Sequence, residues 1–178
     1  ECPRWDAATE RLLWVDIESR ALHVFDPASG DDRSILFDDR VGAAAPTTAG
    51  DVLVALAGRL AVVDLGSESV RTLVEIPHGE GLRLNDGVCD PAGRLWVGSL
   101  ALDFAPGQGA LYRYSTGAGL DRVLDGCVPR HHDHGGPGLG RLELAHHVEA
   151  RAVGQPPVGH DDVEDLGRGE HLECALGD

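Results

Sequence analysis

One pattern occurs three times in the first hundred residues, and a chain that repeats itself this way is constrained to fold as repeated units. Asp6-Ala7-Ala8-Thr9-Glu10-Arg11-Leu12-Leu13-Trp14-Val15 returns as Asp90-Pro91-Ala92-Gly93-Arg94-Leu95-Trp96-Val97. Between them, Ala49-Gly50-Asp51-Val52-Leu53-Val54-Ala55 is a degraded third copy. Each copy is followed by a second β-type run (Ala21 to Asp26, Arg59 to Asp64, Ala110 to Tyr114) and then a third (Arg33 to Phe37, Val70 to Glu75, Leu120 to Leu124). A unit of about 40 residues holding several short strands is the signature of a propeller blade.

No part of residues 1–126 sustains the 3.6-residue apolar period of a helix. Clusters such as Asp26-Pro27-Ala28-Ser29-Gly30 supply turn chemistry between the runs. The expected fold class is therefore all-β, a partial β-propeller of about three blades. Such rings close with about 4–8 blades, which leaves roughly half a ring unaccounted for.

Composition bounds the partners. A formal net charge of −15 over 178 residues repels nucleic acid and anionic membrane surfaces. No apolar run approaches the ~20 residues that span a bilayer. The four cysteines, Cys2, Cys89, Cys127 and Cys174, show no C-x-x-C pair, so a reducing, cytoplasmic setting is expected. The oligomeric state is not legible.

From Cys127 onward the composition changes. Residues 128–178 contain no Trp, Tyr, Phe or Ile, yet hold seven of the nine histidines. The chain has 15 Arg, no Lys and a single Asn, a usage that points to GC-rich coding DNA. Out-of-frame translation of such DNA enriches Arg, Gly, Pro, Ala and His. Residues 127–178 are expected to be a foreign, irregular tail of out-of-frame origin, and residues 1–126 the blades. His131, His132 and His134 with Asp133 are too tightly spaced for one good four-coordinate zinc site.

Three segments carry a family likeness. The opening Glu1-Cys2-Pro3-Arg4-Trp5 leads to Leu13-Trp14-Val15-Asp16-Ile17. Arg83-Leu84-Asn85-Asp86-Gly87 runs into Asp90-Pro91-Ala92-Gly93-Arg94-Leu95-Trp96-Val97-Gly98, and Gly109-Ala110-Leu111-Tyr112-Arg113 follows. In order and spacing these resemble the SMP-30/gluconolactonase/luciferin-regenerating family, six-bladed propeller lactonases that depend on calcium or zinc. The resemblance implies hydrolysis of a sugar-type lactone with a divalent metal: Ca²⁺ first, with Zn²⁺, Mn²⁺ or Mg²⁺ as alternatives. It implies Glu1 as a metal ligand and Arg83, Asn85 and Asp103 as substrate-binding residues. The later S-N-G-L and D-G segments, which would bring the other ligands and the catalytic Asp, do not follow Asp125-Gly126, so the catalytic residue stays unassigned.

Those residue types suit the chemistry. A divalent ion polarises a lactone carbonyl and activates water, and a guanidinium fork holds the developing oxyanion. Plainer readings stand beside these. A lone Glu is a solvated charge, Arg83 a surface cation, and Asn85-Asp86-Gly87 a turn in which Asp86 and Gly87 present Asn85. Asp103 is a loop charge; Trp5, Trp14 and Trp96 are core residues, and Cys2 and Cys89 are small fillers. At the level of the whole chain, a non-catalytic or defective truncated fragment is the competing reading. A propeller acting on phosphotriesters or luciferin-like compounds is another.

Overall fold

The computed structural model describes residues 1–128. They form twelve antiparallel strands: β1 (Arg4–Asp6), β2 (Arg11–Asp16), β3 (Ala21–Asp26), β4 (Asp31–Leu36), β5 (Val41–Pro46), β6 (Val52–Leu56), β7 (Arg59–Val63), β8 (Val70–Glu75), β9 (Leu82–Cys89), β10 (Leu95–Ala101), β11 (Gly109–Ser115) and β12 (Gly119–Cys127). Three four-stranded sheets run in chain order, β1 to β4, β5 to β8 and β9 to β12. The all-β partial propeller expected from the repeats is what forms, and β12 continues beyond the expected run, through Cys127. The expectations for the tail, including its histidines, fall on residues outside those described, apart from Cys127 and Val128.

The degraded repeat turns out to be the middle blade. Every residue of Val52–Leu56 is buried, because blades flank that sheet on both sides. A strand covered on both faces reads as a continuous apolar run, which is why alternation is weakest there. In the first blade Leu13, Val15, Leu22 and Val24 point into the shared core. Each such large side chain contributes roughly 1.5–3 kcal/mol on burial. Trp14 takes the opposite face and stacks on His23 at 4.8 Å, and Trp5 is 39% exposed. The expectation of three core tryptophans holds for Trp96 alone, 7% exposed. The outermost strands β4 and β8 are mostly exposed and carry charges such as Asp31, Asp32, Arg33 and Arg71, which discourages pairing with a foreign edge.

The strand opening each blade is the one the sequence hides. β5 is Val-Gly-Ala-Ala-Ala-Pro, poor in β-formers, and it is packed against β9 so closely that small residues are required. A Cβ on Gly42 would lie 2.5 Å from the Leu84 carbonyl oxygen and 2.6 Å from that of Asn85. Among the described residues no helix is long and apolar enough to cross a membrane.

Candidate functional site at the rim of the opening strands

Successive strands reverse direction, so the starts of β1, β5 and β9 lie at the same end as the finishes of β2, β6 and β10. Ala101 pairs with Leu82, and Glu1 exchanges two hydrogen bonds with Val15, from its amino group at 2.6 Å and to its carbonyl at 2.9 Å. Glu1, Arg83, Asn85 and the loop holding Asp103 therefore share one rim.

Near this rim each opening strand carries an extra residue. In β9, Asn85 and Asp86 face the single residue Gly98, since Leu84 pairs with Ser99 and Gly87 with Val97. In β5 the extra residue is Gly42, between the Val41 and Ala43 pairings. Ahead of β1, Cys2 and Pro3 face Trp14, between the Glu1–Val15 contact and the Arg4–Leu13 pair. Such bulges bend a strand and re-aim its side chains. The turn expected at Asn85-Asp86-Gly87 is thus corrected: the segment lies inside β9, and the turn-prone residues serve a bulge. Gly87 suits it, because a Cβ there would sit 3.1 Å from the Trp96 carbonyl oxygen.

Cys2 fits among the three opening strands. Its Sγ lies 3.9 Å from the Ala44 carbonyl oxygen on β5 and 3.8 Å from that of Gly87 on β9. Burial first of all pushes its thiol up, so it is inert filler, as expected. Arg4 donates from Nη2 to the same Gly87 oxygen at 2.8 Å. Glu1 is thereby fixed at the rim by its buried neighbour.

Arg83 is 8% exposed. Its Nη1 donates to Asn85 Oδ1 at 2.7 Å and to the Leu84 carbonyl at 3.1 Å. Burial lowers its pKa from the ordinary arginine value; Glu1 and Glu18 pull it back, and Arg40 adds to the lowering. The structure therefore brings Arg83 and Asn85 into direct contact, and the Glu1 charge acts on Arg83. Asp103 lies on the same rim in the β10–β11 loop, where its Oδ1 accepts from the Ala105 N–H at 3.0 Å. No hydrogen bond among the described residues joins Asp103 to the other three.

Two rim residues were missed from sequence. Arg40 precedes β5 as Arg83 begins β9, and it donates from Nε (3.3 Å) and Nη2 (3.2 Å) to the two carboxylate oxygens of Glu18. The only signal was positional: a charge just before a hidden opening strand. As for a cation, the described residues include no group of three His, Cys, Asp or Glu side chains, and Glu1 is a single carboxylate whose neighbour Asn85 already uses its oxygen. Those donors do not hold a divalent ion by themselves.

Blades in series, each opening with a bulged strand near one polar rim, define a portion of a β-propeller. The chain belongs to the SMP-30/Gluconolactonase/LRE-like family, whose model matches residues 1–129. It is 33% identical over 128 residues to the pentonolactonase XacC of Haloferax volcanii, covering 71% of this chain and 42% of that one. Among solved structures it is similar to luciferin-regenerating enzyme, with a TM-score of 0.67 at 27% identity over 72% of this chain and 46% of that one. It is also similar to the calcium-binding protein regucalcin from Agrobacterium tumefaciens, with a TM-score of 0.66 at 26% identity over 71% and 43%. The chain thus spans less than half the length of these relatives.

Proposed function

We propose that the protein hydrolyses sugar-type lactones at this rim, with Arg83, Asn85 and Asp103 contacting substrate and Glu1 supplying one ligand to a divalent cation. The observation that carries the reading is the buried Arg83 fork. Nη1 is fixed on Asn85 and the Leu84 carbonyl, and the remaining N–H groups make no hydrogen bond to a described residue. A desolvated, pre-aimed guanidinium holds a lactone oxygen more strongly as negative charge develops on it. Asn85 accepts from Arg83 through Oδ1, so its amide N–H groups are the part left for substrate hydroxyls. Asp103 keeps Oδ2 for a sugar hydroxyl after Oδ1 closes its loop. The likeness to a pentonolactonase supports the substrate class.

Calcium is the first candidate for the cation, supported by the likeness to a calcium-binding regucalcin; zinc, manganese and magnesium are the alternatives. When bound, such an ion polarises the carbonyl and lowers the pKa of a water. Glu1 alone does not hold such an ion. That incomplete donor set favours a second reading, a non-catalytic β-domain. Lactone hydrolysis by the full chain, followed with added Ca²⁺, Zn²⁺, Mn²⁺ or Mg²⁺, separates the two. Metal-stimulated turnover that is lost in Glu1→Gln supports the enzyme; a rate at background with every metal overturns it.

A further inference from the structure

The rim holds a second guanidinium beside the first. Gly42, two residues after Arg40, closely approaches the backbone of Leu84 and Asn85, so β5 brings Arg40 to the same rim as the Arg83–Asn85 pair. The charges agree with that placement, since Arg40 and Glu18 both act on Arg83. Arg40 is held in a fork by Glu18, yet the pair is open to water, with side-chain exposures of 35% and 76%. Exposed ion pairs are weak and open at little cost. Arg40 and Glu18 satisfy each other in this structure, while Glu1 and Asp103 add negative charge to the same rim. Once Glu18 swings away, Arg40 loses its acid partner and its charge acts on Arg83 uncompensated by that carboxylate.

We infer that Arg40 is a specificity-determining residue, which with Arg83 forms a two-guanidinium cradle for sugar lactones bearing an exocyclic oxyanion group such as a phosphate, sulfonate or carboxylate. Glu18 stands in for that group when no substrate is bound. A bound oxyanion takes the place of the Glu18 carboxylate on the same planar fork and relieves the repulsion between the two arginines. The protein's net charge of −15 disfavours anions at long range, but salt confines that field to about 8–10 Å, inside which the rim arginines dominate. This inference rests on the lactonase reading for the identity of the sugar, so its test reads binding without turnover.

The full 178-residue chain is titrated calorimetrically with glucose 6-phosphate, glucose and inorganic phosphate. The two sugars have a pyranose ring and no lactone bond to hydrolyse. Glucose 6-phosphate should bind at least tenfold tighter than glucose, and tighter than inorganic phosphate, with an affinity that falls as salt is raised. Arg40→Gln should bring it to within about threefold of glucose, Arg40→Lys should fall between, and Glu18→Gln should tighten it several-fold. No preference for the phosphorylated sugar, or a preference that survives Arg40→Gln, overturns the proposal. Tighter binding of free phosphate than of the sugar phosphate does so too, by showing an anion site with no sugar. Turnover of a neutral lactone is scored separately. A lactonase lacking the preference sinks only the Arg40 inference, and a preference without turnover sinks only the lactonase reading.

Discussion

The two rims of the blades use the same kinds of side chain in opposite ways. At the rim away from the site, an aspartate closes a turn next to each sheet. Asp26 accepts from the N–H groups of Ala28 (2.9 Å) and Ser29 (3.3 Å), and Asp64 from those of Gly66 (2.9 Å) and Ser67 (2.6 Å). Asp90 accepts from the Ala92 and Arg94 N–H groups, from Arg94 Nε at 2.6 Å and from Trp96 Nε1 at 2.8 Å. Asp90 has both oxygens committed in this way and has little left to offer a ligand. At the site rim Asp16 and Asp103 also close turns, but Arg83 and Asn85, beside the β9 bulge, are only partly satisfied. Turn closure and ligand capture both need oriented polar atoms; what differs is whether the backbone has already claimed them.

That contrast can be broken from either side. The largest effect is expected at Arg83: Arg83→Gln should lower kcat on a sugar lactone about 10²–10³-fold, as the loss of one oxyanion donor does, while thermal melting barely moves. A large fall in melting temperature with little loss of rate would make Arg83 a scaffold residue.

Asp90→Ala should do the reverse, costing about 1.5–3 kcal/mol in urea denaturation and leaving sugar binding at the other rim unchanged. The pH dependence sharpens this. Burial raises the Asp90 pKa, but the hydrogen bonds from Trp96 and Arg94 outweigh it and leave the carboxyl below its ordinary value of 3.8. A depressed carboxylate contributes stability above its unfolded value, and that contribution is lost as pH falls through the folded one. The stability gap between the native chain and Asp90→Asn should therefore be full near neutrality and shrink below about pH 4.

Gly42→Ala should cost about 1–3 kcal/mol by forcing β5 off β9, and it should also weaken ligand binding, because the strand that carries Asn85 must shift. Loss of stability with binding intact would show that the close approach does not set the site. The smallest change belongs to Asp103→Asn, which keeps the acceptor for Ala105. An increase in KM of a few-fold with unchanged stability is expected if its charge meets substrate hydroxyls, whereas no change in KM assigns it to the turn-closing class.

The blades were legible because their middle strands repeat in sequence: Leu12 to Val15, which buries alternate residues, returns as Leu95 to Val97 behind a similar turn. The opening strands were not. β5 lacks β-branched residues beyond Val41, β1 is three residues long, and β9 has Asn-Asp-Gly in its middle, which local rules read as a turn. In β5 and β9 the departure follows from close packing of the two strands, where Gly42 has no room for a Cβ and Gly87 has little. The site residues on these strands were found by likeness to a family motif. Arg40 and Glu18 lie outside that motif and needed the geometry of β5 against β9 to be seen.

Every ladder in the described region joins strands adjacent in the chain. The first sheet thus has all its pairing partners by residue 36 and the second by residue 75. Contacts so short in sequence separation close small loops and form quickly for an all-β protein. As the chain leaves a ribosome, each sheet can zip as soon as its own four strands have emerged, and the next then docks on a surface already made.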